Sequence, residues 1–239
     1  MTASTLTAGR PAGHSGPAGG GEPVTGREPV AGPRPVLWLV RHGQSTWNVL
    51  GLAQGHDDEA VLTRRGQREA WAVAGRLCDQ PIRALYASDL RRARQTAAPL
   101  GAVLRLPVTT DPRLRERCLG TREGTASAGL CPAETGLRSG GVADPDARPA
   151  GGESLRDFYW RVAAFIDDIT HSPLSGDVAV IAHGGTLRIL RACLGSVPVE
   201  GMRWHPVANG TILRFTAPPS GSLPIRSGPR PPTDEEVTP

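Results

Sequence analysis

Two short runs, VLWLV at residues 36–40 and VAVIA at residues 178–182, are apolar at every position, and each leads into a histidine, His42 and His183. Val, Ile, Leu and Trp suit a pleated, packed surface, so both runs read as buried strands, with Pro35 closing the front of the first. Charge at the exit of such a strand is informative. In open α/β sheets, ligands sit beyond the carboxyl ends of parallel strands, which would put Arg41 and His42 where chemistry takes place.

The segments between alternate in kind. LTRRGQREAWAVAGRLC opens with Thr63 as an N-cap and carries Ala70, Val73, Ala74 and Leu77 at the spacing of one apolar helical stripe. RALYAS reads as a strand, SDLRRARQTAAPLG as a helix opened by Ser88 or Asp89 and closed near Pro99 and Gly101, and RLPVTTD as a third strand. From Cys118 to Gly152 the pattern dissolves into Gly, Ala, Ser and Pro, and no element is predicted. GGESLRDFYWRVAAFIDDI then carries Ser154 as cap with Asp157 three residues on, and Leu155, Phe158, Tyr159, Val162, Ile166 and Ile169 on one face. A helix from about Gly185 to Leu194 and a strand TILRF complete the series. Such alternation argues for an α/β fold with a mainly parallel sheet and helices on both faces.

Only 38% of the 239 residues are hydrophobic, and the deficit is concentrated at the two ends. Residues 1–34 and 217–239 are rich in Gly, Pro, Ala and Ser, cannot bury enough surface to offset the entropy of ordering, and are expected to be disordered extensions. One domain is expected over 35–216. No segment approaches the ~20 apolar residues of a membrane span, and the leader lacks the apolar core of a signal peptide, so a cytoplasmic protein is expected. Cys78, Cys118, Cys131 and Cys193 form no CxxC pair, which suggests reduced thiols and neither a zinc site nor a disulfide framework. All 27 basic residues are arginine, which excludes a Walker lysine and a Schiff-base lysine. They are interleaved with acids instead of forming a block, so no nucleic-acid surface is expected.

Successive strand ends deliver Arg41 with His42, then Arg92 just after Ser88, then Glu116, then His183. Two arginines and a histidine suit a phosphoryl group, whose oxygens take planar bidentate donors and spread positive charge. A second, neutral imidazole can attack phosphorus, and a carboxyl can protonate the departing oxygen. Gly43, Gly184 and Gly185 allow close backbone approach, and the helix after Gly184 aims its positive end at the same place.

LVRHGQSTWN, SDLRRARQTA, RLRERCLGTREG, GGESLRDFYWRV and VIAHGGTLR together resemble the ordered motifs of the histidine phosphatase superfamily, the phosphoglycerate mutase-like proteins, over about Leu37 to Phe215. The resemblance implies a three-layer α/β/α sandwich and a reaction through a phosphohistidine with no metal and no cofactor. It implies His42 as nucleophile, Arg41, Arg92 and His183 as the phosphate pocket, Glu116 as proton donor, and Asn48, Gln54, Gly55 and the backbone of Gly184 as further substrate-binding positions. The partner implied is a small phosphorylated metabolite. Two departures stand out: one extra residue between Gly55 and Leu62, around His56, Asp57 and Asp58, and Thr121 and Arg122 where the family has an aromatic before EG. GHDD at 55–58 is read as a solvated loop, not a metal cluster. Phosphatase is the leading reading. A cofactor-dependent mutase is the alternative, and a non-catalytic binding module on the same fold a third.

Deleting residues 1–34 is expected to leave the melting temperature and turnover unchanged, because the segment has no side chains able to build a core. Thermal melts and phosphatase assays on the shortened chain check this, and a marked fall in either would mean that the segment packs on the domain.

Overall fold

The period-two geometry of a strand sends neighbouring side chains to opposite faces, so a strand apolar at every position needs a core on each side. The computed structural model describes residues 34–138, 140–171 and 176–219 and shows such a pair of cores. β1 (Val36–Arg41) points Leu37 and Leu39 into one cluster and Val40 into the other. Strand β6 (Asp177–Ala182), buried at all six positions, divides Val178, Val180 and Ala182 from Ala179 and Ile181 in the same way. The remaining elements, in chain order, are α1 (Thr46–Leu50), α2 (Arg64–Leu77), β2 (Ile82–Ala87), α3 (Arg91–Leu104), β3 (Val108–Thr110), α4 (Pro132–Thr135), β4 (Leu137–Arg138), β5 (Gly141–Val142), α5 (Leu155–His171), α6 (Gly184–Leu194) and β7 (Ile212–Thr216). Helices α5 and α6 cover one face of the sheet and α2 and α3 the other, giving a three-layer α/β/α sandwich.

The central sheet runs β3-β2-β6-β1-β7, parallel except for β7, which closes the β1 edge antiparallel. β6 therefore lies between β2 and β1, and its register with β1 pairs Arg41 with Ala182. His42 N donates to Ala182 O at 2.9 Å, so the two strands expire side by side. Past β7, Ala217 N donates to Pro35 O at 2.8 Å, which ties the two ends of the described fold together. The expectations for residues 1–33 and 220–239 lie outside the described residues.

Local chemistry explains most boundaries. Thr63 Oγ1 accepts the Gly66 N–H and starts α2, whose buried stripe is Gly66, Ala70, Val73, Ala74 and Leu77. Ser154 and Asp157 exchange hydrogen bonds at the start of α5, whose buried face holds all six residues expected there. Helix α3 corrects the reading from sequence at both ends. Its cap position is Leu90, because the Ser88 hydroxyl turns to His183 and Asp89 turns to Arg115. It also continues through Pro99 to Leu104 before Arg105 turns left-handed at φ 55°. Proline removes one backbone donor, but Thr96, Ala97, Leu100 and Gly101 are packed against the sheet and hold the helix together. Gly101 is a contact glycine with Leu106 O 3.0 Å from where a Cβ would stand, not a stop. The stretch from Cys118 to Gly152, for which no element was expected, forms the short helix α4, the β4–β5 hairpin and two single 3-10 turns. The four cysteines are free thiols, and only Cys193 is buried.

Backbone also meets backbone where the β1 exit crosses the start of α2. A Cβ on Gly66 would lie 2.1 Å from Gln44 O, and one on Gly43 2.4 Å from Gly66 O. Helix propensity alone says that Gly66→Ala should stabilise by about 1 kcal/mol. The contact is expected to reverse that sign and destabilise by about 1–3 kcal/mol, since two backbones cannot yield as a side chain does. Urea unfolding measures it, and a raised midpoint would show that the loop gives way.

Candidate active site

A cavity of about 220 Å³ opens at the carboxyl ends of β1, β2 and β6, and Arg41, His42, Arg92, Glu116 and His183 all line it. The two imidazoles stand edge to face with centroids 5.1 Å apart, as the β1–β6 register requires. His42 is almost wholly buried, and its Nδ1 lies 2.8 Å from the carbonyl oxygen of Gly43. A carbonyl only accepts, so Nδ1 carries the hydrogen and the neutral ring leaves its lone pair on Nε2. The flanking backbone is pinned as well: Gly43 N donates to Thr96 Oγ1 at 3.0 Å and Asn209 Nδ2 to His42 O at 3.0 Å.

His183 is fully buried with Nε2 2.9 Å from Ser88 Oγ. Ser88 Oγ accepts the Leu90 N–H, so its own hydrogen is available for His183 Nε2. That leaves the proton of His183 on Nδ1, which has no hydrogen-bond partner among the described residues. Arg92, also fully buried, is clamped by two carbonyls, Nη2 to Gly55 O at 2.8 Å and Nη1 to Asp57 O at 2.7 Å. Arg41 Nη1 donates to Val207 O, and the Nε atoms of both arginines are buried without a partner. Glu116 accepts from Arg117 N and from Gly185 N, each at 2.9 Å, and so bridges its own loop to the start of α6. A Cβ on Gly185 would collide with that carboxylate, at 2.0 Å from Oε1.

The further sequence-predicted positions divide. Gln54 and Gly55 line the cavity, and Gln54 Oε1 accepts from Ser45 Oγ at 2.9 Å. Asn48 Oδ1 accepts from Ser45 N and Asn209 Nδ2, so it closes the cap of α1 and fastens the 209 loop to the β1 exit. Gly184 opens α6, with Arg41 Nε 3.5 Å from its Cβ position. His56 is drawn away from the cavity toward Glu153, 3.9 Å off, and Asp58 accepts the Arg91 N–H. Ser88, Thr96 and Asn209 were not singled out as site residues, because nothing local marks a serine, a threonine or an asparagine that acts only across the sheet.

Burial, then the charge of Arg92, lowers both imidazoles well below their ordinary value. Burial also lowers Arg92 to about 10, offset mainly by Glu116, and lowers Arg41. At neutral pH the site therefore presents two cations and two neutral rings.

The model of the histidine phosphatase superfamily, branch 1, matches residues 37–223. The chain belongs to that superfamily. Among its relatives is a probable phosphoglycerate mutase, GpmB, of Yersinia pestis, 34% identical over 179 residues that make up 74% of this chain and 83% of that protein. A solved mycobacterial glucosyl-3-phosphoglycerate phosphatase, in complex with VO3, is 32% identical with a TM-score of 0.66, covering 75% of this chain and 92% of its own. YhfR of Bacillus stearothermophilus is 27% identical with a TM-score of 0.65, covering 75% and 89%. Members of the superfamily are phosphatases or mutases, so the chain belongs to a family of enzymes. Among the described residues, no helix is long and apolar enough to cross a membrane.

Both rings regain their ordinary value near 6.5 on unfolding. Below that value the unfolded chain binds more protons than the folded one, so stability is full above it and falls with pH by up to about 1.4 kcal/mol per unit for each ring. Urea midpoints measured from pH 7.5 to 5 are expected to fall more steeply for the wild type than for His183→Asn. Equal slopes would show that the ring protonates freely in the folded protein.

Proposed function

We propose that the chain is a phosphatase that hydrolyses a small-molecule phosphomonoester through a phosphohistidine on His42, without a metal ion. The observation that carries this reading is the convergence of Arg41, Arg92 and two neutral imidazoles on one cavity whose single carboxylate, among the described residues, is Glu116. Arg41 and Arg92 hold the phosphoryl oxygens and spread their charge, with His183 Nδ1–H and the amide at Gly184 as further donors. The Nε2 lone pair of His42 attacks phosphorus in line as the bond to the substrate oxygen breaks. Glu116 gives its proton to that oxygen, which leaves as an alcohol. Glu116, now a carboxylate, takes a proton from water as the water oxygen attacks phosphorus. The P–N bond breaks, inorganic phosphate departs, and His42 is neutral again. Gln54 and Gly55 shape the mouth and keep Arg92 in place, and Asn48 acts by holding the β1 exit.

The likeness to a probable mutase favours a second reading, in which the phosphoryl group returns to the substrate. A mutase must hold an intermediate carrying two phosphoryl groups, and so needs a second cationic clamp beyond the nucleophile. The wall opposite His42 is instead apolar, with Leu119, Leu130, Leu137 and Trp204. Arg138 and Arg148, the arginines of the 124–151 stretch, do not line it, and Arg148 pairs with Asp157. Arg117, which does line the cavity, spends its donors on the carbonyls of Glu153, Thr135 and Ala147. These features favour transfer to water.

A panel of phosphorylated metabolites, assayed with chelator and including phosphoglycerates with a bisphosphate primer, tests the reading. Release of phosphate without isomer exchange is expected, and activity that only added metal restores would overturn the metal-free mechanism. Glu116→Gln is expected to slow formation of phospho-His42 by ~10²- to 10⁴-fold for alkyl phosphates, the range of general acid catalysis, and far less for p-nitrophenyl phosphate. Rapid-quench measurement of nitrophenol release and bound phosphate checks it. Equal losses for both substrates would make Glu116 a positioning residue and not a proton donor.

A further inference from the structure

Behind the partition formed by Arg41 and the 204–209 loop lies a second and larger cavity, of about 540 Å³, between α6, β7 and the 197–211 segment. Its floor is apolar, with Met202, Leu213 and Phe215, and its rim carries Arg188, Arg191, Arg203 and His205 and, among the described residues, no carboxylate. Arg188, Arg191 and Arg203 form no ion pair among the described residues, and all three line this one cavity.

Arg188 is the decisive member. Its guanidinium lies 4.4 Å over the ring of Trp204, and its Nε donates to His205 O at 2.6 Å, so the group is held in one place with both Nη atoms uncommitted. It is half-buried, and burial lowers its pKa, offset in part by the charge of Glu116, while the nearby Arg41 adds repulsion. A fixed cation partly removed from water is costly without a paired anion, and no carboxylate among the described residues forms an ion pair with Arg188. The volume falls within the range of small-molecule sites, which combine an apolar body with a few placed polar groups.

We propose that this cavity is a second binding site, distinct from the catalytic one, for a small amphiphilic anion: an acid head group against Arg188 and Arg191 and an apolar body over Leu213 and Phe215. The site adjoins the catalytic centre: Arg41 Nη1 donates to the carbonyl of Val207, which lines the second cavity, and Trp204, beneath Arg188, lines the first.

Decanoate serves as the probe, with decanol and acetate as controls for head group and body, in calorimetric titrations of the full chain. One decanoate per chain is expected, with decanol and acetate each at least tenfold weaker. Saturating inorganic phosphate, which fills the catalytic pocket, is expected to leave decanoate binding in place. Arg191→Gln and Arg188→Met are each expected to weaken it at least fivefold, and Arg191→Gln to keep wild-type turnover. Decanol binding as tightly as decanoate, displacement by phosphate, or unchanged binding in both variants would each overturn the proposal, whatever the outcome of the phosphatase assays.

Discussion

The parallel pairing of β1 with β6 is the constraint on which the site depends. Both strands are buried on both faces, so a slip of one residue would turn every side chain into the wrong core, and the register is held by that cost. Because Arg41 lies opposite Ala182, the next residue of each strand is a histidine, and the rings meet at 5.1 Å. The histidine pair is thus positioned by the hydrophobic core, not by contacts between the two rings. Asp177 secures the other end of the pairing, accepting from Val36 N and Trp38 Nε1, each at 2.9 Å.

The same arrangement concentrates charge where water is scarce. Arg92 is fully buried and reaches only carbonyl oxygens, while its Nε and that of Arg41 stay without partners. Two guanidinium groups so near suppress protonation of His42 and His183 and keep the lone pair that attack on phosphorus requires. Donors fixed in place before the anion arrives need little reorganisation as charge develops, which is the basis of electrostatic catalysis. The folded protein bears the corresponding instability, as is common where polar groups are arranged for function instead of for stability.

Around this centre the chain between Cys118 and Gly152 forms the wall that a leaving group would meet. It has almost no regular structure, yet it is anchored: Arg117 ties Thr135, Ala147 and Glu153 together through their carbonyls, and Glu153 in turn accepts from Cys118 N and Arg161. A buried arginine with four backbone contacts takes the place of a hydrophobic core in a segment too rich in Gly, Ala and Pro to form one.

The fold and the side chains that converge on the cavity were legible because their signals are local. Apolar runs of period-two strands, amphipathic stripes, the Thr63 and Ser154 caps and an Arg-His-Gly after a buried strand all lie within a few residues of one another. Those signals were enough to place the α/β class, most element positions and the five side chains that line the cavity. What they could not convey depends on contacts far apart in the chain. Pro99 and Gly101 read as a helix end, but packing against the sheet outweighs one missing donor. Asn48 read as a substrate ligand, yet its oxygen is spent on Ser45 and on Asn209, 161 positions away. Ser88 orients His183 across 95 positions, and Arg117 draws its partners from up to 36 residues away. The order of residues fixes which charged and imidazole groups the strand ends carry. Only the tertiary structure decided how those groups are oriented, protonated and walled in, because hydrogen-bond partners and burial are set where distant segments meet.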